Sequence, residues 1–424
     1  MSERQVTASS LSSLIEAAAT AVESRVIAWR RDLHEHPELG NREFRTADIV
    51  RAHLQQLEFD EVRTQVAHTG VVGLLRGGLP GPTVALRADM DALPVTEEVD
   101  VPFASKVRTQ WNGEDVGVMH ACGHDCHTAI LMGVAEVLAG MRAQLRGNVK
   151  FIFQPAEEQP PEGEEGGAKM MIAQGALENP VPQAIFGLHV TSRLPVGIVG
   201  YRPGPTMASS DKLKITVHGK QTHGAAPWLG VDPIVTAAQV ILGLQTVISR
   251  GTDIAREPAV VTIGAIRGGV RENIIPDSVE MRGTIRAFDE EMRDEIHERV
   301  TTLAEAVARG SRASCAVCIT KNYPVTVNDP ALTEAVLPTL ARVAGPDRLE
   351  LVPKVTGAED FSFFQRLIPG LFYFVGVTPP EVDPKDAYSN HSPRFYADER
   401  ALVLGVRSLA HVACDWLAAN AEKL

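Results

Sequence analysis

Three short apolar runs in this chain each close on residues that can carry a charge or ligate a metal. PTVALRADMD closes on Asp89 and Asp91, NVKFIFQPAEE on Glu157 and Glu158, and PQAIFGLHV on His189. Runs of this length, alternating with segments of helical apolar spacing, predict an α/β layer with a largely parallel sheet. In such open sheets ligands bind beyond the carboxyl ends of the strands. Three separate strands therefore aim polar side chains at one edge.

Between the first two runs lies HACGHDCH, residues 120–127, opening the apolar helical segment HTAILMGVAEVLAG. Cys122 and His124 sit one residue apart on the loop before that helix, and thiolate with neutral imidazole suits zinc and its first-row neighbours. Together with Glu158 and His189 they predict a metal centre. His120, Cys126 and His127 exceed what the centre needs and read as supports or packing. Glu157 and Glu158, adjacent on a near-extended backbone, should point in opposite directions. One can then ligate while the other takes a proton from a water that the metal has made acidic. The pattern does not say which is which.

The middle of the chain changes character. KLKITVHGK, AVVTIGAIRGG, SVEMRGTIRAF and SCAVCITKNY read as strands; VDPIVTAAQVILGLQTVISR and DEEMRDEIHERVTTLAEAVARG read as helices. Their order, β-α-β-β-α-β, is the ferredoxin-like arrangement. It predicts a complete α+β module at 203–322, a lid or dimerisation domain inserted into a catalytic domain formed by 1–202 and 323–424. Cys315 and Cys318 match C-x-x-C, but on a strand they face opposite sides, so packing is expected rather than redox chemistry. His34 and His36 lie near a helix end, where a cation complements the dipole.

A formal charge of −12 speaks against nucleic acid or an anionic membrane as a partner. No signal-peptide layout and no apolar span of about 20 residues stands out, so neither export nor a membrane anchor is expected. Five cysteines are too few and too odd for a disulfide framework. The cytoplasm is the expected location.

The motifs RADMDALP, MHACGHDCHTA, FQPAEE, GLHV, GKQTHGAAPW, ENIIPDS, GAEDFS and NHSP follow one another in that order from about Arg31 onward. In this the chain resembles the aminoacylase and carboxypeptidase-type zinc-peptidase superfamily, in its amidohydrolase branch of hippurate, N-acyl-amino-acid and indoleacetyl-amino-acid hydrolases. The resemblance implies two divalent ions, zinc ahead of manganese, cobalt or nickel, held by Cys122, His124, Glu158, His189 and His391. Cys122 would bridge where other branches place an aspartate. Glu157 takes the general-base place and Asp91 that of a carboxylate orienting a ligand. His223 resembles a group that polarises the scissile carbonyl, and Asn273 and Arg286 resemble groups that hold the substrate carboxylate. The implied substrate is a small N-acyl or N-aroyl amino acid. The implied assembly is a homodimer paired through the inserted domain, with His223 acting across it. The alternatives are a non-catalytic metal-binding scaffold, a dipeptidase or carboxypeptidase, and a thiol redox enzyme. Two departures bear on specificity: the charged pair Arg271 and Glu272, and the acidic QPPEGEEGG segment that follows the two glutamates.

Overall fold

Every residue from Thr83 to Asp89 is buried, which requires cover on both faces of the strand they form. In the structure, a computed structural model describing residues 3–421, that strand runs Leu79–Asp89 at the middle of an eight-stranded sheet. Arg146–Gln154 and Ala184–Pro195 flank it in parallel, and Gly370–Thr378 adds a fourth parallel strand beyond Ala184–Pro195. Toward the edges the sheet turns antiparallel, at Gly70–Arg76 on one side and Val199–Tyr201 on the other. This is a mixed α/β sheet with a parallel centre.

The chain divides into two compact units; the larger takes residues up to 204, 328–352 and 363 onward. Its helices Glu3–Glu35, His124–Gly140 and Leu402–Asn420 bury Val26, Ile130, Val134, Val406 and Leu409 in one core with Phe151, Phe186 and Tyr373 of the sheet. His124–Gly140 is buried along nearly its whole length, as a helix apolar all round must be.

The smaller unit takes 205–327 and also 353–362. Its four-stranded sheet, in the order Ala259–Gly268, Ser278–Ala287, Ser210–His218, Ser314–Tyr323, is antiparallel throughout. Helices Pro233–Gly251 and Glu290–Gly310 close over Leu213, Ile215, Val279 and Met281. Asp232 and Asp289 cap them, accepting from the Ile234 and Met292 N–H groups at 2.9 and 2.8 Å. Cys315 packs against this core while Cys318 is exposed, so the two thiols do face apart.

The expectation that no apolar stretch could span a bilayer needs correction. Pro233–Gly251 and Glu399–Asn420 are both long and apolar enough by length and composition. Their apolar residues have uses inside the fold: Glu399–Asn420 is mostly buried along its most apolar stretch, and Pro233–Gly251 lays Ala237, Val240 and Leu244 on the smaller sheet.

Candidate metal centre

Register brings the polar residues together. Arg87 lies level with Ile152 on one neighbour and Gly187 on the other, so two residues on, Asp89 pairs with Gln154 and stands level with His189. His189 does not close its strand, which runs on to Pro195, but the register still puts it at the same edge. Asp91 lies two residues past its strand. His124 is the first residue of its helix rather than part of the loop. Gly123 caps that helix in the left-handed region (φ 92°), where a Cβ would stand 2.4 Å from Val190.

The two glutamates are placed differently from the extended-backbone expectation. Their strand ends at Gln154, and Ala156 turns left-handed with φ 53°. Strand alternation stops there, so both carboxylates turn to the same side: donor atoms of His124, Glu157 and Glu158 lie within 4.8 Å of one another.

Cys122 Sγ is the hub, 3.3 Å from His189 Nε2 and 3.2 Å from His391 Nε2, which in turn is 2.9 Å from Glu158 Oε1. Backbone carbonyls fix the rings. His124 Nδ1–H donates to Asp91 O at 2.8 Å, and His189 Nδ1–H to Val190 O at 2.7 Å. Both rings therefore turn Nε2 inward. His124 Nε2 is buried with no hydrogen-bond partner, 3.8 Å from Asp89 and 3.9 Å from Glu157. A buried orphan of this kind calls for a ligand. Cys122–His124–His189 and Cys122–Glu158–His391 form two donor sets that share only the sulfur. Thiolate, imidazole and carboxylate at this spacing fit two first-row divalent ions.

The electrostatics favour cations as well. Burial, together with the charges of Glu158 and Glu157, pushes the Cys122 thiol well above its usual range. Burial would lower His124, but Asp89 and Asp91 outweigh it and hold the ring up at about 10. Burial takes His189 far below its ordinary value. Divalent ions binding here would displace the protons of Cys122 and His124.

Supporting residues appear beneath the ligands. His127 donates from Nδ1 to Asp89 at 2.6 Å and accepts the Val190 N–H at 2.8 Å, locking the strand beside His189. His120 is buried with both ring nitrogens unpartnered, and Cys126 is buried in the core. Sequence reasoning missed Asn390, whose Nδ2 donates to the Cys122 and Val190 carbonyls at 3.0 and 3.1 Å. Its place next to His391 in NHSP was the available signal. His34 does stand in the last turn of its helix, as expected, and is also clamped between Asp125 at 2.7 Å and Glu97 at 3.0 Å.

His223, Asn273 and Arg286 belong to the smaller unit. His223 pairs with Ile274, and the Asn273 carbonyl accepts the Gly224 N–H at 2.8 Å, so these two residues stand together on an exposed ribbon. His223 Nδ1 accepts the Ala225 N–H at 3.0 Å, which leaves Nε2–H free to donate outward. Arg286 is half-buried, with Nη1 shielded and unpartnered. It sits at the other end of the Ser278–Ala287 strand, roughly 26 Å from Ser278 at about 3.3 Å per residue. One copy of the unit does not bring Arg286 and Asn273 together.

A sulfur ringed by three imidazoles and the Glu158 carboxylate at a parallel sheet edge, with Glu157 beside His124, is the donor arrangement of a metal-dependent hydrolase. The chain belongs to the peptidase family M20/M25/M40, whose profile matches residues 85–415. It is 40% identical over 391 residues to thermostable carboxypeptidase 2 of Saccharolobus solfataricus, covering 92% of this chain and 94% of that one. It is 39% identical over 394 residues to N-acetylcysteine deacetylase of Bacillus subtilis, covering 93% and 97%. Among solved structures it is similar to a Bacillus subtilis protein described as a dinuclear metal-binding peptidase of family M20. That likeness has TM-score 0.78 and 36% identity, over 94% of this chain and 99% of the other.

Proposed function

We propose that the protein is a metal-dependent amidohydrolase that cleaves N-acyl or N-aroyl amino acids into a free amino acid and a carboxylic acid. The observation that carries this reading is the pair of donor sets meeting at Cys122 with Glu157 beside them. The deacetylase relative and the dinuclear neighbour support it. Cys122, His124, His189, Glu158 and His391 would hold two divalent ions, zinc first. Once bound, the ions would supply the positive charge that polarises the amide carbonyl and acidifies water. Asp91 fixes His124 through its carbonyl and also accepts the Glu158 N–H at 2.9 Å. Glu157 takes a proton from water as its oxygen bonds to the carbonyl carbon, then passes that proton to the nitrogen as the C–N bond breaks. His223 Nε2–H donates to the developing oxyanion. Asn273 and Arg286 hold the substrate carboxylate.

The separation of Asn273 from Arg286 supports a homodimer in which one copy lends His223 and Asn273 to the other copy's site. The helix Pro233–Gly251 offers a face for such pairing, with Val235 and Leu242 exposed. Five free thiols support a reducing compartment, the cytoplasm.

A second reading, carboxypeptidase or dipeptidase, is favoured by the carboxypeptidase relative. Assaying the metal-loaded protein on N-acetyl- and N-benzoyl-amino acids beside unblocked dipeptides separates the two. Release of free amino acid from the blocked substrates is expected. Turnover confined to unblocked peptides would give the site to the second reading.

A further inference from the structure

The turn that carries Glu157 and Glu158 is held from two sides by carboxyl groups on different elements. Asp91 holds the Glu158 N–H. The other is Glu43, fully buried, whose Oε1 accepts the Ala156 N–H at 2.9 Å while Oε2 meets Thr69 Oγ1 at 2.6 Å. Ala156 enters the turn left-handed, as Gln159 leaves it, a conformation that a residue with a Cβ keeps only when its surroundings enforce it. The rest of the Gly40–Glu43 segment lies along the same loop. A Cβ on Gly40 would stand 3.2 Å from Ala156 and from the Gln159 carbonyl. Asn41 Nδ2 donates to Glu164 Oε2 and to the Glu165 carbonyl, both at 3.0 Å, and Arg42 Nη1 donates to Glu164 Oε2 at 3.1 Å. The acidic segment after the glutamates is therefore tied down at its far end as well.

We propose that Glu43 is a positioning residue, its carboxyl, oriented by Thr69, fixing the Ala156 N–H and hence the backbone from which Glu157 reaches the reacting water. The inference rests on the reading of Glu157 as proton carrier. Burial and the nearby Asp91 charge push Glu43 up to about 8, which accords with a side chain serving as a neutral hydrogen-bonding group. Glutamine keeps both bonds: its amide oxygen accepts from Ala156 and its NH2 donates to Thr69.

Steady-state kinetics and metal content of Glu43→Gln, Glu43→Ala and Thr69→Val test this. Misplacing a catalytic group by about 1 Å can cost on the order of 100-fold, so Glu43→Ala should lose about 10- to 100-fold in kcat. Its KM and metal content should stay near wild type, because Asp91 still anchors Glu158. Glu43→Gln should restore kcat to within about threefold, and Thr69→Val should fall between. Wild-type kcat in a folded Glu43→Ala protein, or equal loss in Glu43→Gln and Glu43→Ala, overturns the assignment. Should Glu43→Ala not fold, undiminished kcat in Thr69→Val overturns it. Absence of turnover in the wild-type protein ends the hydrolase reading and this inference with it. Turnover in wild type that survives intact in Glu43→Ala ends this inference alone.

Discussion

Glu157 and Glu158 leave one turn together, yet their surroundings differ. Glu158 Oε1 stands against His391, which shares the Cys122 sulfur, whereas Glu157 Oε2 looks toward the unpartnered His124 nitrogen. Glu157→Ala should therefore lose nearly all turnover with metal content unchanged, since only the proton carrier is gone. Glu158→Ala should lose metal along with activity, read by elemental analysis beside the assay. Equal metal loss in both variants would reverse the assignment. The ligand protons set a second expectation. Cys122 and His124 hold theirs at neutral pH in the metal-free site, and an ion must displace them. Each proton released raises affinity about tenfold per pH unit, so affinity should climb by about 10- to 100-fold per unit between pH 6 and 8. Chelator competition at pH 6, 7 and 8 measures this. A flat profile would mean that neither proton is displaced.

At the scale of elements, the loop-to-helix junction that presents Cys122 and His124 is anchored from the N-terminal helix. Arg30 and His34 both meet Asp125 Oδ2, at 2.9 and 2.7 Å, in a site with almost no solvent. Burial opposes the Asp125 charge, but Arg30 and His34 prevail and hold it well below the usual carboxylate range. Removing one partner of a buried pair costs about 3–5 kcal/mol, so Asp125→Asn should lower the melting temperature sharply. With its folded value depressed, Asp125 contributes stability above its unfolded value of about 4 and loses it as pH falls through the acid range below. Denaturation curves between pH 2 and 6 should show that loss in the wild type and a smaller one in Asp125→Asn. The central strands of the larger sheet, the strands of the smaller one and the long helices were readable from apolar spacing and chain order, whereas the edge strands Gly70–Arg76 and Val199–Tyr201 escaped it. The glutamate turn was not, because nothing in the residue type of Ala156 announces a left-handed backbone. Nor were Glu43 and Asn390, whose importance lies in backbone groups distant in sequence.

For the molecule as a whole, residues of the larger unit as far apart in sequence as Asp89 and His391 meet at one sheet edge, where strand register sets Asp89 level with His189. His223, proposed as the oxyanion donor, belongs to the smaller unit, where Asn273 precedes the Ser278–Ala287 strand and Arg286 lies at its far end. If His223 acts across a dimer, mixing His223→Ala with Glu157→Ala subunits leaves one intact site in each mixed dimer. Random exchange makes about half the dimers mixed, so about a quarter of wild-type activity should return. Subunit exchange with no recovery would place His223 in its own chain's site. The most direct measurement overall is a titration of chelated protein with zinc or manganese while hydrolysis of an N-acyl amino acid is followed. The Cys122-centred site predicts no turnover without metal and activity rising to a plateau at two ions per chain. Turnover indifferent to chelation, or two bound ions with no hydrolysis of any acylated amino acid, would contradict it.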